Sequence, residues 1–365
     1  MQTAARLFFD DAASMDALAD ESVDLVVTSP PYPMIEMWDE QFFSLDGKIR
    51  QHVEAARYEA AFDRMHALLA QVWAECARVL KDGGILCVNV GDATRTFEGA
   101  GFRLWPNGAR TQAALRELGL QQLPGILWRK PTGSPTKFMG SGMIPPNAYV
   151  TLEHERILIF RKGGRRRVKR REARYESAHF WEERNRWFSD VWTGLAGASQ
   201  SLEAPDASGG VAPELRERSG AFPLALPLRL VLMFSIYGDR VLDPFLGTGT
   251  TALAAALTGR NAVGYERDAA FRPAVRRRLL QAPSRSHALC RERLADHRAF
   301  LREREKPCRY ENEHYGFGVV TKQERSLRLR DVASVEEMGD DRFTFSYTPH
   351  PAQQERFADG KPTPA

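Results

Sequence analysis

Short apolar runs alternate along the chain with longer segments in which apolar side chains recur every three or four residues. The short runs are typical of buried strands, and the longer segments are typical of amphipathic helices. Strands are predicted at residues 6–9, 23–27, 85–90, 125–128, 156–161, 240–242 and 262–265. Helices are predicted at residues 13–18, 58–80, 111–118, 224–237, 251–257 and 269–304. This alternation predicts an α/β domain with a mainly parallel sheet.

The alternation is interrupted in the middle of the chain. Residues 161–186 are strongly basic with interleaved aromatic side chains, and residues 193–219 have the Gly, Ala, Ser and Pro content of a loop or linker. Near the end, residues 315–347 predict three short strands, and the tail from Thr348 is expected to be disordered. We therefore divide the chain into a first α/β half, a central region with its linker, a second α/β half and an extension, at 1–162, 163–218, 219–296 and 297–365.

Composition narrows the class of protein. Hydrophobic residues make up 43% of the 365 residues and charged residues 27%, with a net charge of +4, which suits a globular protein with a large core. No signal peptide and no apolar window of about 18 residues is found, so neither export nor a membrane span is expected. The cysteines form no metal-binding pair, so we expect no metal and reduced thiols in a cytoplasmic protein. They are Cys76, Cys87, Cys290 and Cys308.

A glycine-rich loop follows the strand at 240–242. The sequence D-P-F-L-G-T-G-T-T at 243–251 leads into a helix, and the next strand ends at Glu266. Glycine at positions 247 and 249 lets the backbone turn tightly and approach a ligand. A carboxylate 19 residues beyond Gly247 is where nucleotide sites bind ribose hydroxyls. The third glycine of the dinucleotide fingerprint is absent, which disfavours a nicotinamide-dependent oxidoreductase, and a tight turn without a ligand is the alternative.

A second chemical signal, T-S-P-P-Y-P at 28–33, follows the strand at 23–27. The exocyclic amino nitrogen of a base is a poor nucleophile because its lone pair is delocalised into the ring. The Ser29 hydroxyl and a fixed proline carbonyl can accept hydrogen bonds from the two amino hydrogens. The Tyr32 ring can stack on a base removed from the duplex. Taken alone, the segment would instead be a rigid turn or a polyproline-type ligand.

Together these motifs resemble the β class of amino-group DNA methyltransferases of restriction–modification systems, in which the catalytic motif precedes the cofactor motif. The stretches R-V-L-K-D-G-G-I-L-C-V-N-V at 78–90 and E-H-E-R-I-L-I-F-R-K at 153–162 are also similar to this family. The resemblance implies a circularly permuted Rossmann-like fold with a seven-stranded mixed sheet and helices on both faces. It makes 1–162 the catalytic half and 219–296 the half that binds S-adenosyl-L-methionine.

The resemblance also implies roles for individual residues. The catalytic residues would be Ser29, Pro30, Pro31 and Tyr32. The cofactor-binding residues would be Asp11, Thr28, Phe222, Asp243, Pro244, Phe245, Gly247, Gly249, Thr250 and Glu266. Methyl transfer would be direct and in line after base flipping, without a metal.

Serine at position 29 favours cytosine as the target. The family often has aspartate there, and serine is associated with methylation of the cytosine amino group. Adenine remains the first alternative, followed by a catalytically inactive nucleic-acid-binding module and by an RNA substrate.

The basic run lies where β-class enzymes place their target-recognition region. Arginines there would neutralise phosphates of double-stranded DNA, and a solvated charged face is the alternative. The DNA-binding residues would be Arg165, Arg166, Arg167, Lys169, Arg170 and Arg171. Residues 33–57 and 132–147 are expected to form loops over the duplex, and a cognate restriction endonuclease is a plausible partner. The sequence predicts neither the recognition sequence nor the oligomeric state.

Overall fold

In the computed structural model, which describes residues 1–97, 99–130, 139–140, 142–195 and 222–350, ten strands form one mixed sheet. Its order is β10-β6-β9-β3-β2-β11-β12-β1-β16-β15. The strands are β1 (Gln2–Phe8), β2 (Val23–Thr28), β3 (Leu80–Val90), β4 (Ala93–Phe97), β5 (Gly101–Trp105), β6 (Gln121–Arg129), β7 (Met139–Gly140), β8 (Ala148–Tyr149), β9 (His154–Arg161), β10 (Val191–Trp192), β11 (Arg240–Asp243), β12 (Asn261–Tyr265), β13 (Tyr310–Glu311), β14 (Gly318–Val319), β15 (Arg330–Glu337) and β16 (Arg342–Pro349).

The predicted α/β fold is confirmed, and its seven strands are the centre of the sheet. They run from β6 to β1 in the sheet order, and β9 alone among them is antiparallel to its neighbours. Three further strands extend the predicted sheet. The two-residue strand β10 pairs with β6 at one edge, and the antiparallel hairpin β15–β16 pairs with β1 at the other.

Helices cover both faces of the sheet. They are α1 (Asp39–Leu45), α2 (Gly47–Glu54), α3 (Tyr58–Val79), α4 (Asn107–Glu117), α5 (Arg171–Glu176), α6 (Trp181–Trp187), α7 (Ala225–Phe234), α8 (Thr250–Leu257), α9 (Arg272–Leu280) and α10 (Ala282–Glu303). Helix α3 packs on one face, and α7, α8 and α9 pack on the other. Adjacent residues of β2 therefore enter different cores, with Leu25 on the α8 side and Val26 on the α3 side. None of the described helices is long and apolar enough to cross a membrane.

Two predicted helices differ from the structure. Residues 13–18 form turns, in which the Leu18 N–H donates to the Met15 carbonyl at 2.9 Å, and Arg78 donates to the carbonyl oxygens of Met15 and Leu18, at 3.1 and 3.0 Å. The predicted helix at 269–304 is a 3₁₀ turn followed by α9 and α10, and Pro283 stands in the first turn of α10. Proline lacks the N–H that a continuous helix needs at that point.

The central region packs against the C-terminal extension. Phe180 lies in a third core with Leu294 of α10 and Leu327 of the extension. Two of the three tryptophans between residues 181 and 192 are buried, Trp187 and Trp192, which confirms the expectation that at least one of them packs in a core. Most of the predicted linker and the tail beyond 350 lie outside the described residues.

Candidate active site

The two motifs meet where parallel strands end. Strand β2 ends at Thr28 and the neighbouring β11 ends at Asp243, and the Thr28 hydroxyl donates to the Asp243 carboxylate at 2.7 Å. The carboxyl ends of adjacent parallel strands share one edge of the sheet, which is where open α/β sheets bind ligands. The S-P-P-Y segment and the glycine-rich loop therefore face each other, although they are more than 200 positions apart.

A cavity of about 860 Å³ lies between the two motifs. Most of the predicted site residues line it. These are Asp11, Ser29, Pro30, Pro31, Tyr32, Phe222, Asp243, Pro244, Phe245, Gly247, Thr250 and Glu266. The structure thus brings together all four predicted catalytic residues and eight of the ten predicted cofactor-binding residues. The other two do not line the cavity. Thr28 is hydrogen-bonded to Asp243, which does line it, and Gly249 directly precedes Thr250, which also lines it.

The glycine-rich loop needs both of its glycines. Gly249 precedes α8 with φ +80°, and a Cβ there would lie 2.7 Å from Cγ1 of Val275. Gly247 has φ +50°, and its N–H donates to Glu266 at 2.8 Å. Few side chains tolerate these left-handed backbone angles, and a Cβ at position 249 would also force α9 away.

Two carboxylates stand at the cavity wall, Asp243, which is buried, and Glu266, which is half-buried. Burial raises the pKa of Asp243 to about 6, although hydrogen bonds from Thr28 and the Phe245 N–H oppose the shift. Burial also raises the pKa of Glu266, whose two oxygens accept the N–H groups of Gly247 and Asp268 at 2.8 and 2.9 Å. Each oxygen of Glu266 keeps a second lone pair, which a ligand hydroxyl can use.

Two further polar groups of the wall are unpaired among the described residues. The Thr248 hydroxyl and the Tyr265 hydroxyl are buried and make no hydrogen bond. A buried hydroxyl without a partner is costly, so the cavity suits a ligand that carries polar atoms. Neither residue was predicted as a site residue. Thr248 lies inside the glycine-rich motif, and Tyr265 directly precedes Glu266. Their proximity to predicted site residues was therefore the one signal in the sequence that they line the site.

The catalytic loop is held by a buried polar cluster that sequence reasoning missed. The Tyr32 hydroxyl lies 3.0 Å from Ser29 Oγ, 3.1 Å from Glu155 Oε2 and 3.0 Å from Asn89 Nδ2. Lys130 is hydrogen-bonded to the other oxygen of Glu155. Burial, followed by the charge of Glu155, raises the pKa of Tyr32 well above its ordinary value, so the phenol stays protonated. A smaller cavity of about 250 Å³ adjoins Tyr32, Lys130 and Glu155.

The other members of this cluster lie on, or directly after, three different strands. Asn89 lies near the end of β3, Lys130 follows β6, and Glu155 lies near the start of β9. Only the stretch 153–162, quoted for its family resemblance, contained a signal for Glu155. Asn89 likewise lay inside the quoted stretch 78–90, whereas nothing in the chain pattern marked Lys130, whose role depends on how the strands pair.

The basic run lies at the opposite edge of the sheet. Strand β9 is antiparallel to β3, with Arg161 opposite Ile85, so the chain leaves β9 at the amino ends of the parallel strands. Arg166 contacts Asp24 at the start of β2, whereas Ser29 follows the end of that strand, roughly 15 Å away. The run therefore lies at the edge of the sheet remote from the catalytic loop. The DNA-binding role predicted for Arg165, Arg166, Arg167, Lys169, Arg170 and Arg171 stays a prediction.

Two of these arginines have internal partners. Arg166 donates to both oxygens of Asp239, at 2.6 and 2.8 Å, and Arg170 donates to the same carboxylate at 2.8 Å. Asp239 is fully buried, so the arginines neutralise a charge that the fold has removed from water. Arg165, Arg167, Lys169 and Arg171 are exposed at the same edge.

A group of possible metal ligands also lies at this amino edge. The ligand atoms of His287, Asp331 and His350 are within 4.8 Å of one another. Asp331 Oδ2 lies 3.2 Å from Nδ1 of His287 and 2.8 Å from Nδ1 of His350. These hydrogen bonds connect α10 to the end of β16 and contribute nothing to the cavity at the carboxyl edge.

Comparisons with known proteins agree with this geometry. The family model N6_N4_Mtase, described as DNA methylase, matches residues 23–276. The chain is 46% identical over 360 residues to the type II methyltransferase M.MthZI of Methanothermobacter thermautotrophicus, covering 98% of each chain. It is 46% identical over 286 residues to the type II methyltransferase M.MjaI of Methanocaldococcus jannaschii, covering 75% of this chain and 90% of the relative.

Solved structures share the fold. The Thermus thermophilus protein TTHA0409, in complex with S-adenosyl-L-methionine, aligns with a TM-score of 0.59 at 31% identity, covering 76% of this chain and 93% of that one. The cytosine-N4-specific PvuII DNA methyltransferase aligns with a TM-score of 0.50 at 17% identity, covering 76% and 87%. The second likeness concerns the fold alone.

Proposed function

Since the chain belongs to the DNA methylase family, we propose that it transfers a methyl group from S-adenosyl-L-methionine to the exocyclic N4 amino group of cytosine in duplex DNA. Membership of the family makes the chain an S-adenosylmethionine-dependent DNA methyltransferase. The choice of cytosine over adenine is the proposal, and the observation that carries it is serine at position 29, beside the cavity.

The residues of the large cavity fit the cofactor. Asp243 offers a carboxylate to its positive charge, and Glu266 has free lone pairs for ribose hydroxyls. The unpaired hydroxyls of Thr248 and Tyr265 supply further polar partners. When bound, S-adenosyl-L-methionine supplies an electrophilic methyl group on a sulfonium, so the chain needs no redox or metal chemistry of its own for this step.

The catalytic loop would act on the amino group of the target base. Ser29 Oγ and the Pro30 carbonyl would accept hydrogen bonds from its two hydrogens, which favours a pyramidal nitrogen with an available lone pair. The nitrogen would gain the methyl group as the bond from the methyl group to the sulfonium sulfur breaks, and one of its two protons would then pass to solvent. The Tyr32 ring forms one wall beside the base. Since these groups lie at the bottom of a cavity, the base must leave the duplex to reach them.

The DNA would approach the carboxyl edge of the sheet. The segment after β2, the hairpin β4–β5 and the residues around β8 all connect strands at that edge, and the Phe102 ring stacks on the Tyr149 ring with centroids 4.5 Å apart. Part of the predicted loop at 132–147 lies outside the described residues. We place the duplex against these connections and not against the basic run.

The test is the identity of the methylated nucleoside. The protein is incubated with labelled S-adenosyl-L-methionine and unmethylated genomic DNA, the DNA is digested to nucleosides, and the labelled nucleoside is identified by mass. N4-methylcytosine is the expected product. N6-methyladenine would keep the family and overturn the cytosine assignment, and absence of transfer to DNA would overturn both.

The similarity to two type II methyltransferases also supports a role in restriction–modification. We propose that the methylation protects DNA from a cognate restriction endonuclease. Plasmid DNA from cells that express the chain should resist one or more restriction enzymes that cut the same DNA from cells expressing the Ser29→Ala variant. Equal digestion of both DNAs by a broad panel of enzymes would contradict this role.

A further inference from the structure

The polar cluster beside the catalytic loop contains an acid, Glu155, which also lines the large cavity and to which the proposed function gives no role. Glu155 is 9% exposed and accepts hydrogen bonds from Tyr32, Asn89 and Lys130. An ionised carboxylate can accept hydrogen bonds but cannot donate them. Each of its neighbours must therefore direct a hydrogen towards it, and this requirement sets the direction of the remaining bonds in the cluster.

The first bond fixed in this way is that of Tyr32. Its hydroxyl has one hydrogen, which it donates to the Glu155 carboxylate at 3.1 Å. The carboxylate is the stronger acceptor, because the backbone carbonyl of Asn89 is neutral and lies farther away, at 3.4 Å. Asn89 turns its amide nitrogen towards both Glu155 and Tyr32, at 2.5 and 3.0 Å, since an amide oxygen there would face the carboxylate. The Tyr32 oxygen is thus left with acceptor capacity only.

The remaining neighbour of the Tyr32 oxygen is the hydroxyl of Ser29, at 3.0 Å. Because Tyr32 has already used its hydrogen, Ser29 must donate in this pair. The lone pairs of Ser29 Oγ are then free on the side of the cavity. A serine hydroxyl without such a constraint rotates and can present its hydrogen to the substrate, where it would oppose the hydrogens of the amino group.

We propose that Glu155 is a positioning residue that acts through Tyr32 to hold Ser29 as a hydrogen-bond acceptor for the amino group of the target base. This inference rests on the proposed function, since it assumes an amino group at Ser29, but it holds for cytosine and adenine alike. Lys130 and Asn89 keep the carboxylate in place, and neither needs to touch the base.

The experiment is a double-mutant cycle measured by single-turnover methyl transfer to unmethylated DNA. Glu155→Gln keeps the size of the side chain but allows a donor to face Tyr32. We expect it to lower the rate of transfer about 10- to 100-fold, with the affinity for S-adenosyl-L-methionine and the affinity for DNA changed less than about twofold. In the Ser29→Ala background, Glu155→Gln should cause no further loss, because no hydroxyl remains to be oriented.

Tyr32→Phe supplies a second test if Glu155→Gln folds poorly. It removes the hydroxyl that joins Glu155 to Ser29, so the rate should again fall about 10- to 100-fold, and combining Tyr32→Phe with Ser29→Ala should cost no more than Ser29→Ala alone. Additive losses, or an undiminished effect of Glu155→Gln in the Ser29→Ala background, would show that Glu155 acts separately from Ser29 and would overturn the proposal. A failure of the proposed function is distinguishable, because the wild-type protein would then transfer no methyl group to DNA amino groups.

Discussion

The two edges of the sheet differ in whether the carboxylates Asp239, Asp243 and Glu266 have a cationic partner. At the amino edge, Arg166 and Arg170 are paired with the buried carboxylate of Asp239, and the pairing is complete within the chain. At the carboxyl edge, the buried Asp243 and the half-buried Glu266 have no cationic partner among their hydrogen bonds, and both pKa values are raised. A paired charge stabilises the fold, whereas an unpaired buried charge is a cost that a bound cation can remove.

A run of charged residues in a sequence is therefore not by itself evidence for a binding surface. The basic run is the most conspicuous feature of the chain, yet part of it completes ion pairs at an edge remote from the catalytic loop. The charged residues of the carboxyl edge are scattered along the sequence and form no run, yet the large cavity lies at this edge. The burial of its polar groups, and not the number of its charges, identifies it as the functional edge.

The largest effect should follow from removing the acceptor at the catalytic loop. Ser29→Ala deletes one hydrogen bond to the target amino group, and we expect turnover to fall about 10²- to 10³-fold, by analogy with the loss of a preorganised hydrogen bond in other active sites. Cofactor affinity should be nearly unchanged, because Ser29 is on the opposite side of the cavity from the glycine-rich loop. Unchanged turnover would show that the S-P-P-Y segment is only a rigid turn.

The next largest effect concerns the glycine-rich loop. Gly249→Leu would place a Cβ 2.7 Å from Val275 at φ +80°, and we expect the Kd for S-adenosyl-L-methionine to rise at least about 100-fold as the loop shifts. Gly119→Leu is the matched control, because Gly119 has φ +78° with nothing within 4 Å. Calorimetric titration should show normal binding by the control. Normal binding by Gly249→Leu as well would mean that the loop does not form the cofactor site.

The α/β fold and the two motif loops were predictable because their signals are local. A strand followed by S-P-P-Y or by G-T-G dictates a turn at a strand end, and all parallel strands end at the same edge. Residues 13–18 form turns that contact Arg78, which is 60 or more positions away, and no local pattern expresses that contact. The extra strands β15 and β16 were predicted as strands, but the pairing of β16 with β1 depends on contacts over more than 300 positions.

The catalytic cluster shows the same limit more sharply. Glu155 and Lys130 approach Tyr32 only because β9 pairs antiparallel with both β3 and β6, a register that no local pattern expresses. The position of the basic run could not be predicted for the same reason. The reversed direction of β9 delivers the chain to the amino edge, and a sequence that predicts strands without directions cannot place the segments that connect them.

A smaller effect, on stability and not on activity, is expected at the amino edge. Arg166→Ala removes two hydrogen bonds to the fully buried Asp239, and we expect the free energy of unfolding to fall by about 2 kcal/mol, less than for a wholly unpaired charge because Arg170 remains. Denaturant unfolding measures this change. The exposed Arg165→Ala is the control, with an expected change within about 0.5 kcal/mol.

The same two variants test whether the amino edge binds DNA. The salt dependence of DNA affinity should be equal in the wild type, Arg166→Ala and Arg165→Ala, because none of these side chains faces the carboxyl edge. A slope reduced by about one phosphate contact in either variant would place DNA at the amino edge and invalidate the contrast between the edges.

The smallest effect concerns pH at the cofactor site. The pKa of Asp243 in the folded protein is about 6 against an ordinary value of 3.8, so the carboxyl is largely neutral at pH 5 and ionised at pH 7. A positively charged ligand favours the ionised form, so affinity for S-adenosyl-L-methionine should rise by up to about tenfold from pH 5 to 7 and then level off. The free energy of unfolding of the ligand-free protein should fall as the pH rises from 4 to 6, because the folded state binds this proton more tightly than the unfolded state does.

Asp243→Asn keeps the oxygen that accepts from Thr28 and removes the charge, so its affinity should stay at the weak, low-pH level across this range. Titration calorimetry of both proteins from pH 5 to 8 measures the difference. A wild-type affinity that is flat across pH 6 would show that Asp243 is already ionised in the free protein or does not sense the charge of the cofactor. The Asp243→Asn variant separates these two cases, because its affinity falls below that of the wild type only if the charge of Asp243 attracts the cofactor. Equal affinities would leave the unpaired hydroxyls of Thr248 and Tyr265 to account for cofactor binding.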